Sequence, residues 1–217
     1  MFIGHYAAAM AGSRLSAGPS LGTWIMAAQW LDLVWPVFLI LGLEQMRVDP
    51  GNTAVTPLDF VHYPYTHSLL AVVLWAVGFA GVYRFVFHGS AANALWLGGA
   101  VFSHWVLDFI THRPDLPLYP GSDTYAGLGL WNSLTGTLAF EASLFGLAAW
   151  WLLRGTRWNN RARYGFWALL IVLTLFYLAN LFGPTPEPGM EGAIGWMSLS
   201  LWLFVAWGYW IDRLNRN

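Results

Sequence analysis

The chain has 217 residues, 57% hydrophobic and 10% charged, far below the roughly 25% charged share of a soluble domain. Its net charge is −1 and all ten of its cations are arginines, which leaves no basic surface for nucleic acid. With no cysteine, disulfides, iron–sulfur clusters and thiolate zinc sites are excluded.

The start, Met1-Phe2-Ile3-Gly4-His5, has no basic n-region and does not read as a cleaved signal peptide. The apolar stretch Phe2–Gly12 is too short to span a bilayer and reads as a half-helix or an interfacial helix. Six longer segments follow: Leu21–Leu43, Tyr65–Phe87, Ala91–Thr111, Trp131–Leu153, Tyr164–Phe182 and Ala193–Ile211. Each approaches the ~20 apolar residues that a crossing helix needs. The predicted fold is therefore all-α, a polytopic membrane bundle of about six transmembrane helices plus an N-terminal half-helix, forming one domain over 1–217. No repeat or low-complexity segment interrupts it.

Arginine placement sets the expected orientation. Arg14, Arg84, Arg154, Arg157, Arg161, Arg163, Arg213 and Arg216 fall on one side of the six spans, and Arg47 and Arg113 on the other. The first side is expected to be cytoplasmic, with both termini there. On the opposite side, Glu44–Pro64 and Arg113–Leu130 are rich in Pro, Gly, Asp and Tyr and are expected to be ordered caps. Pro36 and Gly42 are compatible with a kink in the first long span. Gly98-Gly99 predicts close helix packing. Trp24, Trp30, Trp35, Trp150, Trp151, Trp158, Trp196, Trp207 and Trp210 are expected mostly at span ends or lipid faces, as in interfacial aromatic belts.

The polar residues carry the functional signal. In Ser103-His104-x-x-x-Asp108-x-x-Thr111-His112, His104 and Asp108 share one helix face. Ionisable groups inside a membrane are costly and point to a functional site. A rise of ~1.5 Å per residue puts Asp32, His104 and Asp108 about 16, 20 and 26 Å from the cytoplasmic face. His67 near the outer end of its span, Glu141 near mid-membrane and His5 on the half-helix converge on the same outer half. The competing explanations are structural. His104 and Asp108 could only tie helices together, Asp32 could accept a hydrogen bond from Gln29, and His67 follows a helix start at Pro64. His62 and His112 could extend the site or sit at the surface, and His88 reads as a helix C-terminal dipole partner.

Gly4-His5, Asp32, Thr66-His67-Ser68-Leu69-Leu70 and the Ser103–Thr111 motif occur in the order of a known family. They resemble the bacterial inner-membrane, metal-dependent hydrolases of the YdjM-like family. The likeness covers roughly the first half of the chain, and its third and fourth motifs are the specific ones. The order of histidines and aspartates is also loosely similar to zinc-dependent phospholipase C and related zinc nucleases. Two elements depart from the family pattern. A Pro-Asp-x-Asp element becomes Leu31-Asp32-Leu33-Val34, and a His-Arg-Gly element becomes His62-Tyr63-Pro64.

The resemblance implies a divalent metal, zinc foremost, held by His5, Asp32, His67, His104 and Asp108. Asp108, Asp32 or Glu141 would serve as the general base, with Asp108 and Glu141 the catalytic candidates. A site in the outer half of the bilayer of a bacterial inner membrane suggests a lipid-like or amphiphilic substrate. Two other classes fit the same residues: a permease or ion transporter, and a non-catalytic accessory subunit of a larger membrane complex. Membrane lipids are expected partners in all three.

Overall fold

A computed structural model describes residues 1–16 and 18–216. It is a helical bundle with two small hairpins at one end. Four long helices are α5 (Leu69–Gly81, continued by a π-helical turn to Val86), α6 (Ala91–Thr111), α7 (Leu134–Gly155) and α8 (Asn160–Phe182). A fifth apolar crossing runs Glu191–Arg216 and comprises α9 (Glu191–Ser198) and α10 (Leu201–Arg216). A further apolar segment is a bent pair, α2 (Leu21–Ala28) and α3 (Trp30–Ile40), with 55° between them, which brings the crossings to six where the pair is one broken span. The 21 residues of α6 extend about 32 Å, the thickness of a hydrocarbon core.

The half-helix α1 (Ile3–Leu15) is not interfacial. It lies in the middle of the bundle, packed against α7, α2 and α6, and Ile3, Tyr6, Ala9 and Met10 are buried. Small residues make this possible. Gly12 lies directly under the Trp24 indole, where a Cβ would collide with the ring. Trp24 and Trp35 are therefore core residues, a correction to their expected place at span ends. Trp150, Trp196 and Trp210 are exposed as expected.

The first long span breaks earlier than its proline predicts. The backbone leaves helical geometry at Gln29 (φ −97°, ψ 5°), and Pro36 sits inside the continuous α3. The break frees the Ala28 carbonyl, which then accepts a bond from outside its own helix. The second span breaks likewise. The short α4 (Pro64–His67) ends at Ser68, whose side chain caps α5 through the Ala71 amide.

At the same end, β1 (Gln45–Val48) pairs antiparallel with β2 (Leu58–His62), Met46 facing Phe60. β3 (Leu116–Pro117) pairs with β4 (Tyr125–Ala126). Asp59 on β2 bonds both Arg47 and Arg113, joining the first hairpin to the segment after α6. Trp35, Met46, Tyr63 and Leu116 form a small second core beneath the hairpins. Gly127 (φ +152°) presses against the His112 and Arg113 carbonyls, where a side chain would not fit. The expected caps are thus ordered.

Glycines also set the α2–α10 crossing. A Cβ on Gly208 would lie 2.7 Å from Gly22 Cα, whereas one on Gly99 would meet nothing within 4 Å. Gly208→Val is expected to destabilise the protein by about 1–3 kcal/mol, read as a lower thermal midpoint in detergent. Gly99→Ala is expected to be neutral or stabilising by up to ~1 kcal/mol in the same measurement.

Candidate metal centre

Helix packing brings five of the predicted residues to one buried point. His104 and Asp108 come from α6, His5 from α1, Asp32 from α3 and His67 from the last position of α4. Two groups of three have donor atoms mutually within 4.8 Å: Asp32, His67 and His104, and His5, His104 and Asp108.

The distances match donors around a small cation. His104 Nε2 is 3.2 Å from Asp108 Oδ2 and 3.6 Å from Asp32 Oδ1. His67 Nε2 is 3.5 Å from Asp32 Oδ1 and 3.9 Å from Asp108 Oδ2. Tetrahedral ligands at ~2.1 Å from an ion lie about 3.4 Å from one another. Burial is nearly complete for the imidazoles and Asp108, while the Asp32 side chain is 26% exposed.

Local structure fixes which nitrogen of each ring points inward. His104 Nδ1 lies 2.8 Å from the Ala28 carbonyl. A carbonyl only accepts, so Nδ1 donates and Nε2 is left to face two carboxylates with no hydrogen-bond partner among the described residues. A buried lone pair against two anions is unfavourable, and a cation at Nε2, proton or metal, resolves it. The donor set of imidazole nitrogen and carboxylate oxygen suits zinc or a similar divalent ion.

His67 is held by a longer relay. Thr66 Oγ1 donates to Glu44 Oε2 at 2.7 Å and accepts from His67 Nδ1 at 2.7 Å. Glu44 also accepts from the Tyr65 and Thr66 amides at 2.8 Å, satisfying free N–H groups at the start of α4. Second-shell contacts of this kind orient a ligating imidazole. Burial pushes the Glu44 carboxyl above its ordinary range, and the bonds from Thr66 and Tyr65 offset this only in part.

Asp108 Oδ1 faces the other way. It accepts from His5 Nε2 at 3.1 Å and from the Met1 amino nitrogen at 2.7 Å. The His5 ring stacks on His104, with centroids 3.5 Å apart and planes 5° apart. Glu141 is buried beside this group, and its Oε2 accepts from the Phe2 and Gly4 amides at 3.0 and 3.2 Å. It thereby ties α7 to the first turn of α1.

His112 joins the site. Its Nε2 is 3.8 Å from Asp108 Oδ1, and its Nδ1 donates to Asp115 Oδ1 at 3.0 Å. The Tyr63 hydroxyl donates to the same oxygen at 2.8 Å, and burial with the adjacent carboxylate holds that phenol well above its ordinary range. Sequence reasoning left His112 open and missed Glu44, Thr66, Tyr63 and Asp115 as supports. The available signal was that Thr66 stands inside the His67 motif and that His112 directly follows Thr111. His62 is exposed on β2, away from the cluster. His88 ends the π-helical turn region with φ +53°. Among the described residues the Gln29 side chain makes no hydrogen bond, so the competing structural explanation for Asp32 does not hold.

The YdjM inner membrane protein family model matches residues 2–186. The chain belongs to that family and is a multi-pass inner-membrane protein. No curated protein and no solved structure matches it.

The Glu44 shift has a measurable consequence. A carboxyl raised in the folded state binds more protons there than in the unfolded chain, so folding loses stability as pH rises above the ordinary value of 4.5. Glu44→Gln mimics the protonated form. The variant is expected to melt like the wild type at pH 4 and to gain on it progressively at higher pH, read by thermal denaturation across pH.

Proposed function

We propose that this member of the YdjM family is a membrane-embedded, metal-dependent hydrolase acting on a lipid-like or amphiphilic substrate. The supporting observation is His104 Nε2, buried, without a hydrogen-bond partner and aimed at two carboxylates. In this reading His67, His104 and Asp108 hold a divalent ion, zinc foremost. Three protein ligands and an open fourth position are the usual plan of a catalytic zinc site. When bound, such an ion acidifies water toward neutral pH and polarises an acyl or phosphoryl oxygen.

The chain's own residues supply the rest. Ala28 and Thr66 fix the imidazole tautomers so that both Nε2 atoms point inward. His5 donates to Asp108 Oδ1 and keeps Oδ2 turned toward His104. Asp32, the partly exposed member, is placed to take a proton from water as general base. Glu141 holds α1, and with it His5, in place. Exposed apolar helix faces surround the bundle, which suits a substrate arriving from the lipid phase.

Metal content of the purified protein tests this reading. About one zinc per chain is expected in the wild type, little in His104→Ala or Asp108→Asn, and a 10–100-fold weaker affinity in Thr66→Val. Asp32→Asn is expected to keep the ion but to hydrolyse micellar ester or phosphoester amphiphiles about 10²–10⁴-fold more slowly. A metal-free wild type, or equal metal in all variants, would overturn the proposal.

A further inference from the structure

A second feature lies away from this cluster. α7 packs on α1, and α8 packs on α10. Between α7 and α8 an open cleft of about 860 Å³ remains, within the size range of small-molecule sites. Its walls are apolar and include Trp150, Leu153, Trp167 and Ile171, and its rim carries Arg154 and Arg163. Arg154 lies thirteen residues beyond Glu141 on α7, about 20 Å farther along the helix.

The rim is strongly positive. Among the described residues the arginine ion pairs are those of Arg47 and Arg113, so neither rim guanidinium has a carboxylate partner. Arg154 lies over the Trp150 ring, 4.6 Å from its centroid. The N-terminus of the 23-residue α8, beginning at Asn160, adds positive helix-dipole charge next to Arg163. Arg157 and Arg161 lie in the same stretch. Guanidinium groups bind phosphate through paired, charge-assisted hydrogen bonds. Exposed indoles beside them mark the level where lipid headgroups meet acyl chains.

We propose that the α7–α8 cleft binds an anionic phospholipid of the surrounding leaflet. Its phosphate sits between Arg154 and Arg163, and an acyl chain runs along the wall formed by Trp150 and Trp167. The complementarity of charge at the rim and apolarity within selects an anionic lipid over a zwitterionic one. The bound lipid would fill the gap between two helices that each pack chiefly elsewhere, and so stiffen that end of the bundle.

Native mass spectrometry of the detergent-solubilised full chain tests this with phosphatidylglycerol and phosphatidylcholine of matched acyl chains. Phosphatidylglycerol is expected to bind more tightly. Arg154→Gln with Arg163→Gln should weaken it by about tenfold or more and leave phosphatidylcholine unchanged. Arg213→Gln with Arg216→Gln, outside the cleft, should leave both unchanged. Gly146→Leu, at a cleft position where a Cβ meets nothing within 4 Å, should weaken both lipids by filling the groove. Equal affinity for the two lipids, or equal losses in the two arginine pairs, would overturn the proposal, because diffuse surface charge would then explain the binding. Matching thermal midpoints separate lost binding from lost fold.

Discussion

The carboxylate of Asp108 is buried near one end of a membrane helix bundle, and an isolated anion there is prohibitively expensive. The surrounding elements answer that cost. Four imidazoles reach it or its neighbourhood, His104 and His112 from its own helix and the turn after it, His5 from α1 and His67 from α4. A half-helix in the centre of the bundle is needed to bring His5 and the Met1 amino group to Oδ1. The small residues of α1, and the Trp24 indole over Gly12, follow from that placement.

Helix breaks do the positioning. An unbroken α-helix consumes its own carbonyls and amides. The bend at Gln29 releases the Ala28 carbonyl for His104. The stop at Ser68 leaves His67 at the end of a short turn whose free amides Glu44 satisfies. In each case a disruption of regular structure provides the hydrogen bond that fixes an imidazole. The first hairpin packs beside the site, Phe60 against the His112 ring, with Asp59 linking Arg47 and Arg113 across two loops.

Much of this was legible beforehand. Five of the site residues lie in motifs whose spacing places them at one depth, and the crossing segments stand out by apolar length alone. The supports were not legible. Thr66 and Glu44 are twenty-two positions apart, and Tyr63 and Asp115 fifty-two, and nothing in local pattern links residues across such distances. Trp24 and Trp35 carry the composition of interfacial residues but are buried, because α1 and the cap core cover faces that a six-span reading leaves open. Pro36 misled in the other direction. It sits within a helix, and the bend falls at Gln29, where an outside donor competes for the backbone.

The sequence by itself determined the membrane class, a bundle of five to six apolar spans, and the candidate ligands. Hydrophobic length and the cost of buried charge are local properties that can be read along a chain. Only the tertiary structure decided that α1 lies inside the bundle, which nitrogen of each histidine faces the site, and which residues hold those rings. These depend on which backbone carbonyl or hydroxyl a distant side chain meets. That pairing is set by the packing of elements, not by the residues in order.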